Sequence, residues 1–290
     1  MHTGKSVSWV YLGFILLLSA CVQPQTRTGT PAASPPTRTP LSDSSERRSL
    51  QSTAFSTGTI SYLYENTAAI ESTFGDSLPR FDSIQTTAVV TINFRQAVGE
   101  TIATVTTDST RAAFTSSSAA GRSMETWPND TRAVVIDQTT GRTTMPTMTG
   151  TCTQESRELP LLGTETIPVL PATTPITTSW VDTLTRELCR GGVLLRFRHT
   201  LRYRLEPMLG SEFVYRVIRD TESEIMGNGR QWQQDVQATG RGAAADTFLI
   251  AKPSSRISHI SGSSRLEISF RTALREQRFV QTTRTQVIAR

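Results

Sequence analysis

Residues 193–205 read VLLRFRHTLRYRL. Val193, Leu195, Phe197, His199, Leu201, Tyr203 and Leu205 fall on alternate positions, with Leu194, Arg196, Arg198, Thr200, Arg202 and Arg204 between them. Only an extended chain, whose side chains point to opposite faces in turn, separates these residues into an apolar and a charged set. Strict alternation over this length predicts a half-buried strand about 40 Å long, apolar toward a core and arginine-studded toward water. A strand that long in an antiparallel sheet curves or twists strongly.

The following stretch alternates in the same way. Phe213, Tyr215 and Val217 interleave with Val214, Arg216 and Ile218, so a hairpin through residues 206–211 is expected. Opposed residues in a hairpin must share a face. A register that does this pairs Leu205 with Phe213, Tyr203 with Tyr215 and Leu201 with Val217. On the charged side it sets Arg198 against Asp220 and Arg196 against Glu222, and it leaves Arg202 facing Arg216 at a like-charge cost.

Outward from this hairpin the same period recurs. Ile84–Arg95 and Thr101–Phe114 flank a turn at residues 96–100, and Arg132–Ile136 and Arg142–Met145 flank another containing Gly141. Asp246–Ala251, Ser255–Ile260, Arg265–Leu274 and Gln277–Ile288 form a terminal meander, with Leu266, Ile268 and Phe270 on one face. Pro168, Pro171 and Pro175 assign residues 167–176 to a sheet edge or an extended loop. Gly227-Asn228-Gly229-Arg230 suits a hairpin tip. Helical spacing is limited to residues 66–74 and to Trp180, Leu184 and Leu188, where a strand fits equally well. Thr and Ser make up roughly a quarter of the 290 residues, a composition that favours strands over helices. The expected fold is mainly β: a strongly curved antiparallel sheet, as a half-barrel, barrel or sandwich, in a single domain over residues 57–290.

The amino terminus has a different character. Lys5 precedes an apolar run, Val10–Leu18, and Ser19-Ala20-Cys21 follows. The run is shorter than the roughly 20 residues a helix needs to cross a bilayer, so it reads as an export signal over residues 1–20. Leu18-Ser19-Ala20-Cys21 resembles the lipobox of bacterial lipoproteins. That resemblance implies diacylglyceryl modification of the Cys21 thiol, cleavage before Cys21 and acylation of the new amino group. Two or more acyl chains give a stable anchor where one is marginal. Val22 stands where an Asp would retain an enteric lipoprotein at the inner membrane, which points to the outer membrane. Residues 21–56, with five prolines and almost no large apolar side chain before Leu50, are expected to form a disordered tether.

In an oxidising envelope the two remaining cysteines, Cys152 and Cys189, are expected to form a disulfide rather than stay as separate buried thiols. Chemistry beyond that is sparse. His199 and His259 have no metal-ligand partner at a recognised spacing. His199 reads as a core or pocket-rim residue and His259 as an exposed strand residue. Asp220, Glu222 and Glu224 share a strand face that could hold a hard cation, but neighbouring arginines favour cross-strand ion pairs. There is no nucleophile elbow and no phosphate-binding loop. The net charge of +5 is spread along the chain and interleaved with acids, which is not a nucleic-acid footprint. No enzyme activity, metal or cofactor is expected. Two functions remain. One is a membrane-tethered module that binds a hydrophobic ligand on a concave face through Leu195, Phe197, His199, Leu201, Tyr203, Leu205 and Tyr215. The other is a structural or assembly lipoprotein that contacts another envelope protein.

Overall fold

The long alternating runs form strands that pair with their sequence neighbours almost without exception. The structure, a computed structural model, describes residues 54–117, 122–126, 129–139, 142–144, 152, 167–170, 179–190, 192–208, 212–231, 233–251, 254 and 256–290. The expected leader, Cys21 and the tether up to residue 53 lie outside the described residues. All elements are strands: β1 (Gly58–Phe74), β2 (Arg80–Ala97), β3 (Glu100–Ser116), β4 (Arg122–Thr126), β5 (Asp130–Asp137), β6 (Thr143–Thr144), β7 (Ser179–Arg190), β8 (Val193–Pro207), β9 (Phe213–Gln231), β10 (Gln234–Ala251), β11 (Ile257–Arg271) and β12 (Glu276–Ala289).

They make one antiparallel sheet in the order β6-β5-β3-β2-β1-β12-β11-β10-β9-β8-β7, with β4 also paired to β3. The first and last strands, β1 and β12, lie side by side near the middle and are joined by a full ladder. The sheet curls into a half-barrel. One cause of bending is visible in β3, where Ser109 takes a φ of 53° and the β2 register shifts between Thr87 and Val89. Such a bulge bends the strand and increases its twist.

The curl sorts the two faces. On β1, Tyr62, Tyr64, Ala68 and Ile70 are buried while Glu65, Thr67 and Glu71 are exposed. On β8 the odd residues from Val193 to Leu205 are buried, and Arg196, Arg198, Arg202 and Arg204 are exposed. Apolar inside and polar outside is the reverse of a membrane barrel, whose outer band faces lipid. Among the described residues no helix is long and apolar enough to cross a membrane.

Several expectations need correction. Residues 66–74 are the second half of β1, not a helix, because ladders to β2 and β12 satisfy the backbone on both sides. Trp180, Leu184 and Leu188 lie on strand β7. Ile257–Ile260 and Arg265–Arg271, from two expected strands, belong to one strand, β11, because the small residues between them keep the alternation. Gly227-Asn228-Gly229-Arg230 lies inside β9, not at a tip, since β8 runs beside it with Val193 opposite Gly229. Of residues 167–176 the structure describes 167–170, which belong to no strand, as the extended-loop alternative has it, but this loop is not at the surface: Ile167, Val169 and Leu170 are buried in the main core. The folded body begins before the expected boundary at residue 57, since Ala54 and Phe55 are buried and Phe55 stacks on Phe94 at 5.4 Å.

The β8–β9 hairpin keeps the expected faces but not the expected partners. Leu205 faces Val217 rather than Phe213, and Tyr203 faces Arg219 rather than Tyr215. Both strands run further toward the turn than their apolar positions suggest, to Pro207 opposite Tyr215. This register sets Arg202 against Asp220, Arg198 against Glu224 and Arg216 against Glu206, so the like-charge pair disappears. The expected hairpins at residues 96–100 and between β5 and β6 are present, the first as a tight Val98-Gly99 turn with Gly99 at φ 77°.

Candidate functional site

The expected ligand face is the inner row of β8. All six of its residues, Leu195, Phe197, His199, Leu201, Tyr203 and Leu205, are buried, and Tyr215 on β9 is partly buried against the same core. They do not form one patch. Leu195 and Phe197 belong to a cluster with Val193, Ile225, Val236 and Phe270 toward one end of the curl. Leu201, Tyr203 and Leu205 belong to a larger cluster with Val217, Phe248, Ile250 and Tyr64 toward the other.

Between the clusters runs a polar band set by the strand register. Across β1, β12, β11, β10 and β9, the inward residues Asn66, Thr285, Gly262, Asp246 and Arg219 are direct neighbours. Asn66 donates through Nδ2 to Thr285 Oγ1 at 2.8 Å, and Ser264 donates to Thr283 at 2.6 Å. Gly262 leaves room for the Asp246 carboxylate, which a Cβ there would strike. His199 lies in this band with Nδ1 2.8 Å from Ser223 Oγ. Burial, helped by the Arg186 and Arg219 charges, pushes its pKa down to about 3, so the ring is neutral at physiological pH.

Arg219 and Asp246 form the one ion pair among those found in the described residues with both side chains nearly buried; Nε and Nη2 donate to Oδ2 at 2.8 and 2.7 Å. Burial opposes the guanidinium charge, but the Asp246 carboxylate and the Tyr203 hydroxyl outweigh it and hold the Arg219 pKa above its ordinary value. The guanidinium also sits 4.9 Å from the Phe248 ring centre. Tyr203 continues the chain: its hydroxyl accepts a hydrogen bond from the Val169 N–H at 3.2 Å. Trp180 stacks on Tyr203 at 5.0 Å and donates through Nε1 to the Val169 carbonyl at 3.1 Å. Residues 167–170 are thereby fastened across the inner face. Neither this connection nor the Arg219–Asp246 pair is anticipated by the apolar alternation. The available signal is that Arg219 and Asp246 occupy inward positions, next to Val217 and Phe248, where the pattern calls for apolar residues.

Two of the three acidic positions, Asp220 and Glu222, form cross-strand ion pairs. Arg202 pairs with Glu222 at 2.8 Å, Arg204 reaches Asp220 at 3.8 Å and Arg196 pairs with Glu187 at 2.7 Å, which replaces the expected Arg196–Glu222 and Arg198–Asp220 partners. These pairs are solvent-exposed and contribute at most about 1 kcal/mol each. Among the described residues no group of three His, Cys, Asp or Glu side chains could hold a metal ion. His259 is half-buried rather than exposed. Cys152 and Cys189 form the expected disulfide, with Cα atoms 5.4 Å apart. Arg142, just before β6, meets Asp182 of β7 at 3.2 Å, so side chains from the two edges of the sheet touch.

The site and the curl together define a water-facing antiparallel half-barrel with an apolar interior crossed by a polar band. The chain matches no protein-family model, no curated protein and no solved structure.

Proposed function

We propose that this protein is a lipid-anchored lipoprotein of the bacterial envelope, held at the outer membrane through Cys21, whose body binds a hydrophobic ligand without catalysing a reaction. The observation that carries the reading is the sorting of faces in an eleven-strand curl: the concave side is apolar and the outside is polar. Eight strands enclose an interior that side chains alone can fill, and a wider curl encloses more. Within it, Gly240, Gly242 and Ala244 of β10 keep partial exposure although their alternation places them on the concave side. The polar band supplies hydrogen-bonding groups, the Arg219–Asp246 ion pair among them, beside two apolar clusters, which suits a ligand with a long apolar body and a small polar group.

Native mass spectrometry of the protein purified from its own membrane tests this directly. Co-purified lipid, lost when Leu201→Arg breaks the inner face in a chain that still folds, supports the reading; a chain free of lipid at every concentration refutes it. Anchoring is tested separately, by incorporation of radiolabelled palmitate in wild type and its loss in Cys21→Ser.

A second reading has its own support. The β8 face is already covered by the chain itself, with residues 167–170 fastened over Tyr203. A filled interior suits an assembly lipoprotein that presents its outer surface to another envelope protein. Crosslinking in intact cells that yields one defined protein partner, with no lipid in the purified chain, favours this reading.

A further inference from the structure

Strand β1 runs away from the buried Ala54 and Phe55, so the turn after it, residues 75–79, lies at the opposite rim of the curl. The turn between β11 and β12, residues 272–275, lies at the same rim, because β12 pairs with β1 from Gln277 opposite Phe74 onward. The Gly75 N–H donates to the Glu276 carbonyl at 3.0 Å and fastens the two turns together. Each turn is also closed on itself. The Ser77 N–H donates to the Phe74 carbonyl at 3.0 Å, and the Thr272 hydroxyl accepts the Leu274 and Arg275 N–H groups at 3.3 and 3.2 Å. Beneath them Phe74 and Phe270 each pack edge to face on Phe279, with ring centres 6.0 and 5.8 Å away.

These held turns present leucines to water. Leu78 is 88% exposed and Leu274 79%, and Phe81, on the outer side of the same rim, is 58% exposed. Turn tips ordinarily carry Gly, Pro, Asn, Asp or Ser, and neither leucine belongs to a core cluster. The charge around them is basic. Over residues 75–81 and 271–278, Arg80, Arg271, Arg275 and Arg278 stand against Asp76 and Glu276, a net charge of 4 − 2 = +2. Arg275, next to Leu274, has no ion-pair partner among the described residues, whereas Arg271 holds Glu276 and Arg278 holds Glu267.

We propose that this rim docks on the surface of an anionic phospholipid bilayer, with Leu78 and Leu274 at the boundary between acyl chains and headgroups and the arginines at the lipid phosphates. A fluid bilayer needs no matching shape and takes apolar tips ringed by cations, whose methylenes lie along the apolar layer. A protein partner fits less well: the turns stand two strand spacings apart, about 10 Å, with Asp76, Arg275 and Glu276 exposed around them, and interface cores are depleted of charge. Charge also distinguishes this rim from the other one. There the exposed Val98 stands in a turn where Glu100 faces Ala97 and Asp137, acids that an anionic surface repels. The anchor proposed at Cys21 leaves the basic rim within reach of the same bilayer. β1 has 17 residues and is about 56 Å long, while the 32 residues from Val22 to Thr53 span up to about 110 Å at full extension. Two contacts on one bilayer reinforce each other through the chain that links them.

Cosedimentation with vesicles, using the chain from residue 21 onward with Cys21→Ser so that no acyl group is attached, tests the rim apart from the anchoring and ligand-binding readings. Binding to phosphatidylcholine vesicles that contain phosphatidylglycerol is expected, and it should be several-fold weaker on phosphatidylcholine alone or in high salt. Leu78→Ser/Leu274→Ser and Arg275→Gln should each weaken it several-fold, and Val98→Ser should leave it unchanged, with circular dichroism checking the fold of each. A nitrobenzoxadiazole label on Leu274→Cys should shift its emission to the blue when the anionic vesicles are added, and one on Val98→Cys should not. No sedimentation with the anionic vesicles, a loss as large in Val98→Ser as in the leucine pair, or the same shift from both labelled sites overturns the proposal.

Discussion

Arg219 occupies an inward position that the pattern of β9 reserves for an apolar side chain, and the fold tolerates it because every partner is in place. Asp246 supplies the opposite charge, Tyr203 a hydroxyl and Phe248 a ring face. Removing one member leaves the other as an uncompensated buried charge, which costs far more than the pair contributes. Arg219→Met is expected to lower stability by roughly 3–5 kcal/mol, and adding Asp246→Leu should recover most of it; urea midpoints at constant m-value check this. His199 adds a pH dependence. In the fold it stays neutral down to about pH 3, because burial first and the Arg186 and Arg219 charges second oppose its protonation. The unfolded chain takes up that proton near pH 6.5, so between these values the unfolded state binds more protons. Acidification across the window therefore favours unfolding, by about 1.4 kcal/mol per pH unit. His199→Gln should give a shallower fall in urea midpoint between pH 6.5 and pH 3.5 than wild type, and an equal slope would show that the ring is not buried neutral.

At the level of the element, Gly262 shows how one position lets β11 run unbroken. It faces Asp246 across the β10–β11 ladder, where a Cβ would strike the carboxylate. Gly262→Ala should cost roughly 1–3 kcal/mol by overpacking, while Ser263→Ala on the outer face stays within about 0.5 kcal/mol of wild type; thermal unfolding of the two variants decides it. This glycine also explains a limit of sequence reading. Ser261-Gly262-Ser263-Ser264 resembles a turn when taken alone, and only the buried ion pair beside it shows why small residues belong inside a strand. The alternation of β8 fixes which residues face inward, and all of them do. It does not fix the partner strand's offset, because any even shift preserves the faces. The charges do carry part of that information: the observed register gives Arg202, Arg204 and Arg216 an acid each, whereas the expected one set Arg202 against Arg216. The site was less legible. The inner row of β8 follows from period two, but its division into two clusters and the strap over Tyr203 depend on residues far apart in the chain.

For the whole molecule, the decisive fact is that side chains link the two margins of the sheet, through Arg142 with Asp182 and Cys152 with Cys189. The disulfide spans a sequence separation of 37 residues, and tying off such a loop restricts the unfolded chain by about 4 kcal/mol in the chain-entropy estimate. In a body of this size 1 kcal/mol shifts the melting temperature by about 2–4 °C, so loss of the bond should lower it by about 8–16 °C if unfolding is a single cooperative event. The topology argues for a smaller shift in the main transition. β1 and β12 pair near the centre of the sheet, and the disulfide ties Cys152 to Cys189 at the β7 margin. The stability that the bond supplies should therefore fall mainly on β5, β6 and β7, where local opening precedes global unfolding. Calorimetry of Cys152→Ser/Cys189→Ser should show a broadened early transition followed by a main transition close to that of the oxidised protein. A single sharp transition displaced by the full entropic amount would mean that margins and centre unfold as one unit.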